Sequence, residues 1–261
     1  MPKTTIKSWL LICFIVLGSM VFAPAQEEEE EEERVINEAE RCNLRGVQET
    51  GAGKYGAALA SFSRAIALQP NFAKAHYNLG TVYYHLKEYA KAVRELEKAI
   101  EINPAYPDAY NQLGATFIET EKYDKALTAL NEAIRQNPDK FIFYYNLGYL
   151  YNQLGKFKSA VEALEKSRRL QPDYFDTLLN LGYSYVRQKE YRKAISAVEA
   201  AVNLNPDDVQ TQYFLGKLYL LAKDKQAALV QYEMIKPLNA QMAQQLYEFI
   251  YRDKLLVIKQ K

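Results

Sequence analysis

Residues 73–104 read AKAHYNLGTVYYHLKEYAKAVRELEKAIEINP, and this window decides the fold. Apolar residues recur at helical spacing from Lys74 to Leu86 and again from Tyr89 to Ile102, with a polar break at Lys87-Glu88 between them. That is the pattern of two amphipathic helices joined by a short turn. The window closes on Asn103-Pro104, where proline lacks a donor and pushes its predecessor out of helical geometry.

Outward from this window the pattern recurs with a step of 34 residues: Pro70, Pro104, Pro138, Pro172 and Pro206, and likewise Gly46, Gly80, Gly114, Gly148, Gly182 and Gly216. Leu79, Leu113, Leu147, Leu181 and Leu215 stand immediately before the last five glycines. A fixed period of this length marks stacked supersecondary units, and it predicts helical hairpins at 39–72, 73–106, 107–140, 141–174, 175–208 and 209–242. The small residues have a steric cause. Gly80 and Ala92 let two helix axes approach, Ala99 leaves room for the first helix of the next unit, and Tyr83 and Leu96 fill the space between.

The order aromatic, Leu-Gly, aromatic, Ala, large apolar, Ala, Pro resembles the tetratricopeptide repeat. The second unit carries it as His76, Leu79-Gly80, Tyr83, Ala92, Leu96, Ala99 and Pro104, and the fourth as Tyr144, Leu147-Gly148, Tyr151, Ala160, Leu164, Ser167 and Pro172. The resemblance implies an all-α fold, a right-handed α-solenoid of stacked helical hairpins whose first helices line a concave groove, and a non-enzymatic role in protein binding. Two units depart from the pattern: Arg45 and Glu49 replace the Leu and an aromatic in the first, and in the sixth Ala240 stands where Pro is expected, with Pro237 three residues early. From about Asn239 to Val257 a further helix is expected, with Met242, Ala243, Leu246, Phe249 and Ile250 on one face. It would form a C-terminal cap within 239–261. Its tail, Leu255-Leu256-Val257-Ile258, is read as extra packing, with self-association through it as the alternative.

The N-terminus reads as a secretory signal over residues 1–25: Lys3 and Lys7, an apolar run from Trp9 to Phe22, then Ala23-Pro24-Ala25. The run is shorter than the ~20 residues that cross a bilayer, so no stable membrane span is expected once the signal is cut, and the product is read as periplasmic in a Gram-negative cell and secreted otherwise. Cleavage leaves 31 basic groups against 32 acidic ones and Cys42 as the single thiol, which excludes an internal disulfide and the broad basic field that nucleic acid needs. The leader at 26–38 opens with seven glutamates, Glu27 to Glu33, whose repulsion favours an extended or frayed segment over a stable helix.

Candidate binding positions follow from the resemblance, which places the exposed slots near each Leu-Gly pair. Two residues before the glycine the chain repeats Asn78, Gln112, Asn146 and Asn180, a row of carboxamides that can both donate to and accept from an extended peptide backbone. The row is similar to the asparagine ladder of O-linked N-acetylglucosamine transferases, a family that binds peptide backbone. Around it lie Tyr77, Asn111, Tyr145 and Tyr213, then Tyr149 and Tyr183, with Tyr84, Asn152 and Arg187 near the helix ends. Tyrosine offers large contact area at low rotamer cost. This surface suits a protein or peptide, with a cell-wall glycan as the alternative ligand. Tetratricopeptide proteins that clamp chaperone C-termini use Lys and Arg there, and the slots three before the glycine hold no Lys.

Catalysis and cofactors are not expected. His76 falls in a buried aromatic slot and His85 lies nine residues on, off its helix face. Cys42 falls in the same slot as His76 and reads as a packing thiol. Gly51, Gly53 and Gly56 are read as residues of the turn between two helices, since no strand precedes them.

Overall fold

The computed structural model describes residue 31 and residues 33–251. The expected signal at 1–25, residues 26–30 and 32 of the acidic leader and the tail 252–261 lie outside the described residues. The described chain is helices and their connections, divided into two compact units, Met1–Ala105 and Tyr106–Lys261. The first unit holds α1 (33–51), α2 (Tyr55–Leu68), α3 (Ala73–His85) and α4 (Tyr89–Ile102). The second holds α5 (Pro107–Glu119), α6 (Tyr123–Gln136), α7 (Phe141–Gln153), α8 (Phe157–Leu170), α9 (Phe175–Arg187), α10 (Tyr191–Leu204), α11 (Val209–Leu221), α12 (Lys225–Ile235) and α13 (Ala240–Ile250). Each unit by itself is a run of α-solenoid, with every helix packed on its neighbours in sequence.

Every hairpin reverses at one left-handed residue. Gly53, Lys87, Glu121, Gly155, Lys189 and Lys223 have φ between 56° and 71°, and each sits seven positions after its glycine in the Leu-Gly column. The N–H of Lys87 bonds the Tyr84 carbonyl and that of Glu88 the Tyr83 carbonyl, both at 2.9 Å, and the same pair of bonds recurs in all six turns. This arrangement satisfies the last carbonyls of the first helix. The residue that completes it, Lys54, Glu88, Lys122, Lys156, Glu190 or Asp224, is also the N-cap of the following helix. Among these six only Asp224 caps with its side chain, accepting from the Ala227 N–H at 2.9 Å. Since one left-handed residue reverses the chain, the expectation for three turn glycines is corrected: Gly53 alone is in the turn, Gly51 ends α1 and Gly56 lies within α2.

Helix approach explains the glycine column. A Cβ on Gly80 would stand 2.8 Å from Leu96 Cγ and 3.2 Å from the Ala92 carbonyl oxygen; on Gly148 it would stand 2.5 Å from Leu164 Cγ and 3.2 Å from the Ala160 carbonyl oxygen. Leu96, Leu130, Leu164 and Val198 are fully buried beside these glycines. The last hairpin differs. A Cβ on its glycine, Gly216, would stand 2.6 Å from Leu246 Cδ2 of α13, while Tyr232, which holds the leucine slot on α12, turns to meet Tyr247 with ring centroids 5.3 Å apart. The capping helix therefore supplies the core residue that α12 does not.

Two further expectations need correcting. The cap spans Ala240–Ile250 and buries Ala243, Leu246 and Ile250, whereas Phe249 is 47% exposed because it falls at the margin of that stripe, beyond which the chain leaves the helix. At the other end, Glu31 and Glu33 are helical: Arg34 reaches back to Glu31 at 2.5 Å, and acids are favoured at a helix N-terminus. The remainder of the glutamate run lies outside the described residues.

Candidate functional site

The carboxamides two positions before each glycine sit on the flank of the first helix that faces the preceding first helix. In the first unit, Asn78 Nδ2 donates to Asn43 Oδ1 at 2.8 Å; in the second, Asn146 Nδ2 donates to Asn111 Oδ1 at the same distance. These links join α1 to α3 and α5 to α7, and a net worth of about 0.5–1.5 kcal/mol applies to each such bond. Asn180 finds Tyr145 in the slot on α7 that Asn43 and Asn111 fill elsewhere, so its Nδ2 turns to the Asp176 carbonyl at 2.9 Å and its Oδ1 accepts from Asn152 Nδ2 at 3.4 Å. Gln112 is half-buried on α5. The row is therefore partly committed to structure, with one N–H per asparagine engaged and acceptor capacity remaining.

Two residues assigned to the open face are buried instead. Asn111 is the acceptor just described, and Asn152 lies between α7 and α9, where its Oδ1 accepts from Ser184 Oγ at 2.7 Å and its Nδ2 approaches Asn180 at 3.4 Å. The sequence pattern missed this because Asn152 lies one position beyond the aromatic column, on the flank facing the next first helix rather than solvent. Asn43, Ser184 and Tyr174 were not anticipated at all.

The tyrosines of α7 and α9 fall into two groups of touching rings. Tyr145 stacks on Tyr149, ring centroids 6.4 Å apart, and meets Tyr174 edge-on at 5.2 Å; Tyr174 also touches Phe141 at 4.9 Å. Burial raises the Tyr174 pKa, and neighbouring Asp176 adds to it, so the phenol stays neutral. Tyr183 is 41% exposed and held in place from two sides: Arg187 Nη1 donates to its hydroxyl at 2.7 Å, and Phe157 packs edge-on at 6.1 Å. The Arg187 guanidinium covers the Phe157 ring at 4.3 Å, a cation–π contact. On α11, Tyr213 lies under Lys217 Nζ at 5.6 Å. In the first unit, Tyr77 and Tyr84 are half-buried, Tyr84 resting against His85 and Tyr89.

Charge is distributed unevenly between helices. α7 has six aromatic residues among thirteen and no charged one, and α11 has only Lys217, whereas α8 carries six charged side chains. Of the first helices of this unit, α7 and α11 thus carry mainly neutral hydrogen-bonding groups and aromatic rings. His76, expected to be buried, is so, with Nδ1 2.8 Å from Glu95 Oε2 and Nε2 3.1 Å from the Pro70 carbonyl. Cys42 is half-buried. Among the described residues no three His, Cys, Asp or Glu side chains converge as a metal site would require.

Comparison with known proteins places this geometry. Tetratricopeptide repeat models match residues 49–109 and 179–241 and residues 95–128, and a TPR repeat model matches 114–155 and 148–189. No curated protein matches the sequence. Among solved structures, PilF of Pseudomonas aeruginosa is 21% identical with a TM-score of 0.72, over 83% of this chain and 98% of that one. PilW, described as a widely conserved type IV pilus biogenesis factor, is 17% identical with a TM-score of 0.73, over 80% and 98%. YrrB, described as a TPR protein with an unusual peptide-binding site, is 20% identical with a TM-score of 0.59, over 72% and 97%. At these identities the likeness is one of fold.

Proposed function

The chain belongs to the tetratricopeptide repeat family, and from that membership we propose that it is a non-enzymatic scaffold of the cell envelope which holds an extended segment of a partner protein against the first helices of its second unit. The observation that carries this reading is the uncharged aromatic face of α7 continued by Tyr183 on α9. Rings already fixed by Phe157, Arg187 and Tyr174 lose little entropy when a ligand covers them, and the spare acceptor of Asn146 suits a backbone N–H group of any sequence. Tyr213 with Lys217 extends the same face onto α11, and Tyr77, Asn78 and Tyr84 give the first unit a comparable one.

The envelope location is supported by the apolar run Trp9 to Phe22 behind Lys3 and Lys7, and among the described residues no helix is long and apolar enough to cross a membrane. A role in assembling an envelope complex gains support from the described pilus biogenesis role of PilW, and capture of peptide from the peptide-binding site described for YrrB. Photo-crosslinking amino acids placed at Tyr149, Tyr183 and, as a control on the charged face, Glu162 test the reading in the intact cell. Adducts to one partner at the two tyrosine positions and none at Glu162 are expected. Equal labelling at all three, or labelling at Glu162 alone, would overturn it.

A further inference from the structure

Charge separates between the two edges of the three hairpins from α7 to α12. The turns within hairpins, at 153–159, 187–193 and 221–226, carry eight lysines and arginines against two acids, whereas the links between hairpins at 171–176 and 205–208 carry four aspartates and no cation. Between the α9–α10 turn and the α11–α12 turn lies an open cleft of about 510 Å³, lined by Lys189, Tyr191, Arg192, Lys193, Leu221 and Lys223. Its one carboxylate, Glu190, is taken by Lys193 at 2.5 Å. Among the described residues Lys189, Arg192 and Lys223 have no ion-pair partner. Lys189 and Lys223 are also the left-handed residues of their turns, so two cations are fixed at the backbone on facing lips of the cleft.

We propose that this cleft is a docking site for an acidic peptide, and that its occupant is the Glu27–Glu33 run of a second copy of the chain. The run's seven carboxylates, of which only Glu31 is paired among the described residues, with Arg34, complement a cleft with three uncommitted cations, and Leu221 and Tyr191 offer apolar surface for the glutamate methylenes. The run of the same chain is the intramolecular alternative, which a parent chain that stays monomeric at low salt would favour. This contact uses a different surface from the tyrosine face and stands or falls apart from it. Exposed ion pairs are individually weak and screened, so association depends on several acting together and weakens with salt.

The test is sedimentation velocity on the chain from Gln26 to Lys261, with two variants. One carries Lys189→Glu, Arg192→Glu and Lys223→Glu, changes the turn tolerates because Glu121 and Asp124 occupy the matching positions of the α5–α6 turn. The other has Glu27–Glu33 replaced by glutamine. The parent chain should self-associate at low ionic strength and dissociate as salt is added. Each variant alone should be monomeric, with an unchanged helical circular-dichroism spectrum, and an equimolar mixture of the two should form a 1:1 complex, since one keeps the run and the other keeps the cleft. A parent that is monomeric at low salt, association that ignores salt, a variant that associates like the parent, or a mixture that does not pair would each overturn the proposal.

Discussion

Glu121 reverses the chain between α5 and α6 at φ 56°, in the position that Gly53 and Gly155 fill elsewhere. A Cβ in the left-handed region costs about 1–2 kcal/mol, offset in part because glycine frees the unfolded chain. The Glu121 side chain is exposed and makes no bond that would compensate. Glu121→Gly should therefore raise stability by about 0.5–1 kcal/mol, read as a thermal-midpoint rise of a few degrees, and Gly155→Lys should lower it by a similar amount. A neutral result in both would mean that neighbouring backbone bonds dictate the turn regardless of its occupant. The Leu-Gly column is less forgiving. Gly148 faces a leucine branch point and a backbone carbonyl at once, as Gly80 and Gly114 do, and a carbonyl held in a helix cannot yield, which accounts for glycine at these three positions.

At the scale of the helix pair, one slot between first and second helices varies in a correlated way. It holds Tyr144 against Ala163 and Leu178 against Ala197, but His76 against Glu95 and Gln212 against Gln231, so large apolar residues meet alanine and polar ones meet polar ones. The His76 ring and Gln212 Nε2 reach corresponding carbonyls, Pro70 and Pro206, but of the two polar pairs only His76–Glu95 is bonded across the helices, the Oε1 atoms of Gln212 and Gln231 being buried without a partner. The His76–Glu95 pair depends on pH. The hydrogen bond from His76 holds the Glu95 carboxyl below its usual range, with Arg94 assisting and partial burial opposing. A carboxyl depressed in the folded state contributes stability that is complete above its unfolded pKa and lost as pH falls through the folded one. Glu95→Gln should flatten the acid limb of the thermal midpoint against pH; an unchanged limb would remove Glu95 from the acid sensitivity. Helix positions were legible in the sequence because proline, glycine and apolar spacing repeat in phase: the window at 73–104 gives α3 and α4 to within a residue at each end. The flank of each carboxamide was not, since the spacing that marks a first helix does not say which of its sides meets the next one, and so Asn152 read as open and Asn43 went unnoticed. The length of α12 was also hidden, because Pro237 signals an early stop but not that α13 would supply the missing leucine.

For the molecule as a whole, the same neighbour-only packing sets how damage spreads. In a stack where hairpins touch only those beside them, stability is a sum of local and interface contributions rather than a single shared core. Leu246 is fully buried in α13 and occupies the space beside Gly216, so it closes the end of the second unit. Leu246→Ala removes that closure at a cost of about 2–5 kcal/mol, and the loss should be confined to the end it seals. Hydrogen exchange should quicken in α11, α12 and α13 while α5 to α8 keep their protection. Leu164, equally buried but flanked by hairpins on both sides, provides the contrast: Leu164→Ala should loosen α7 and α8 together with α9. If Leu246→Ala instead weakens protection evenly from α5 to α13, the second unit unfolds as one cooperative body, and the additive account of its stability fails.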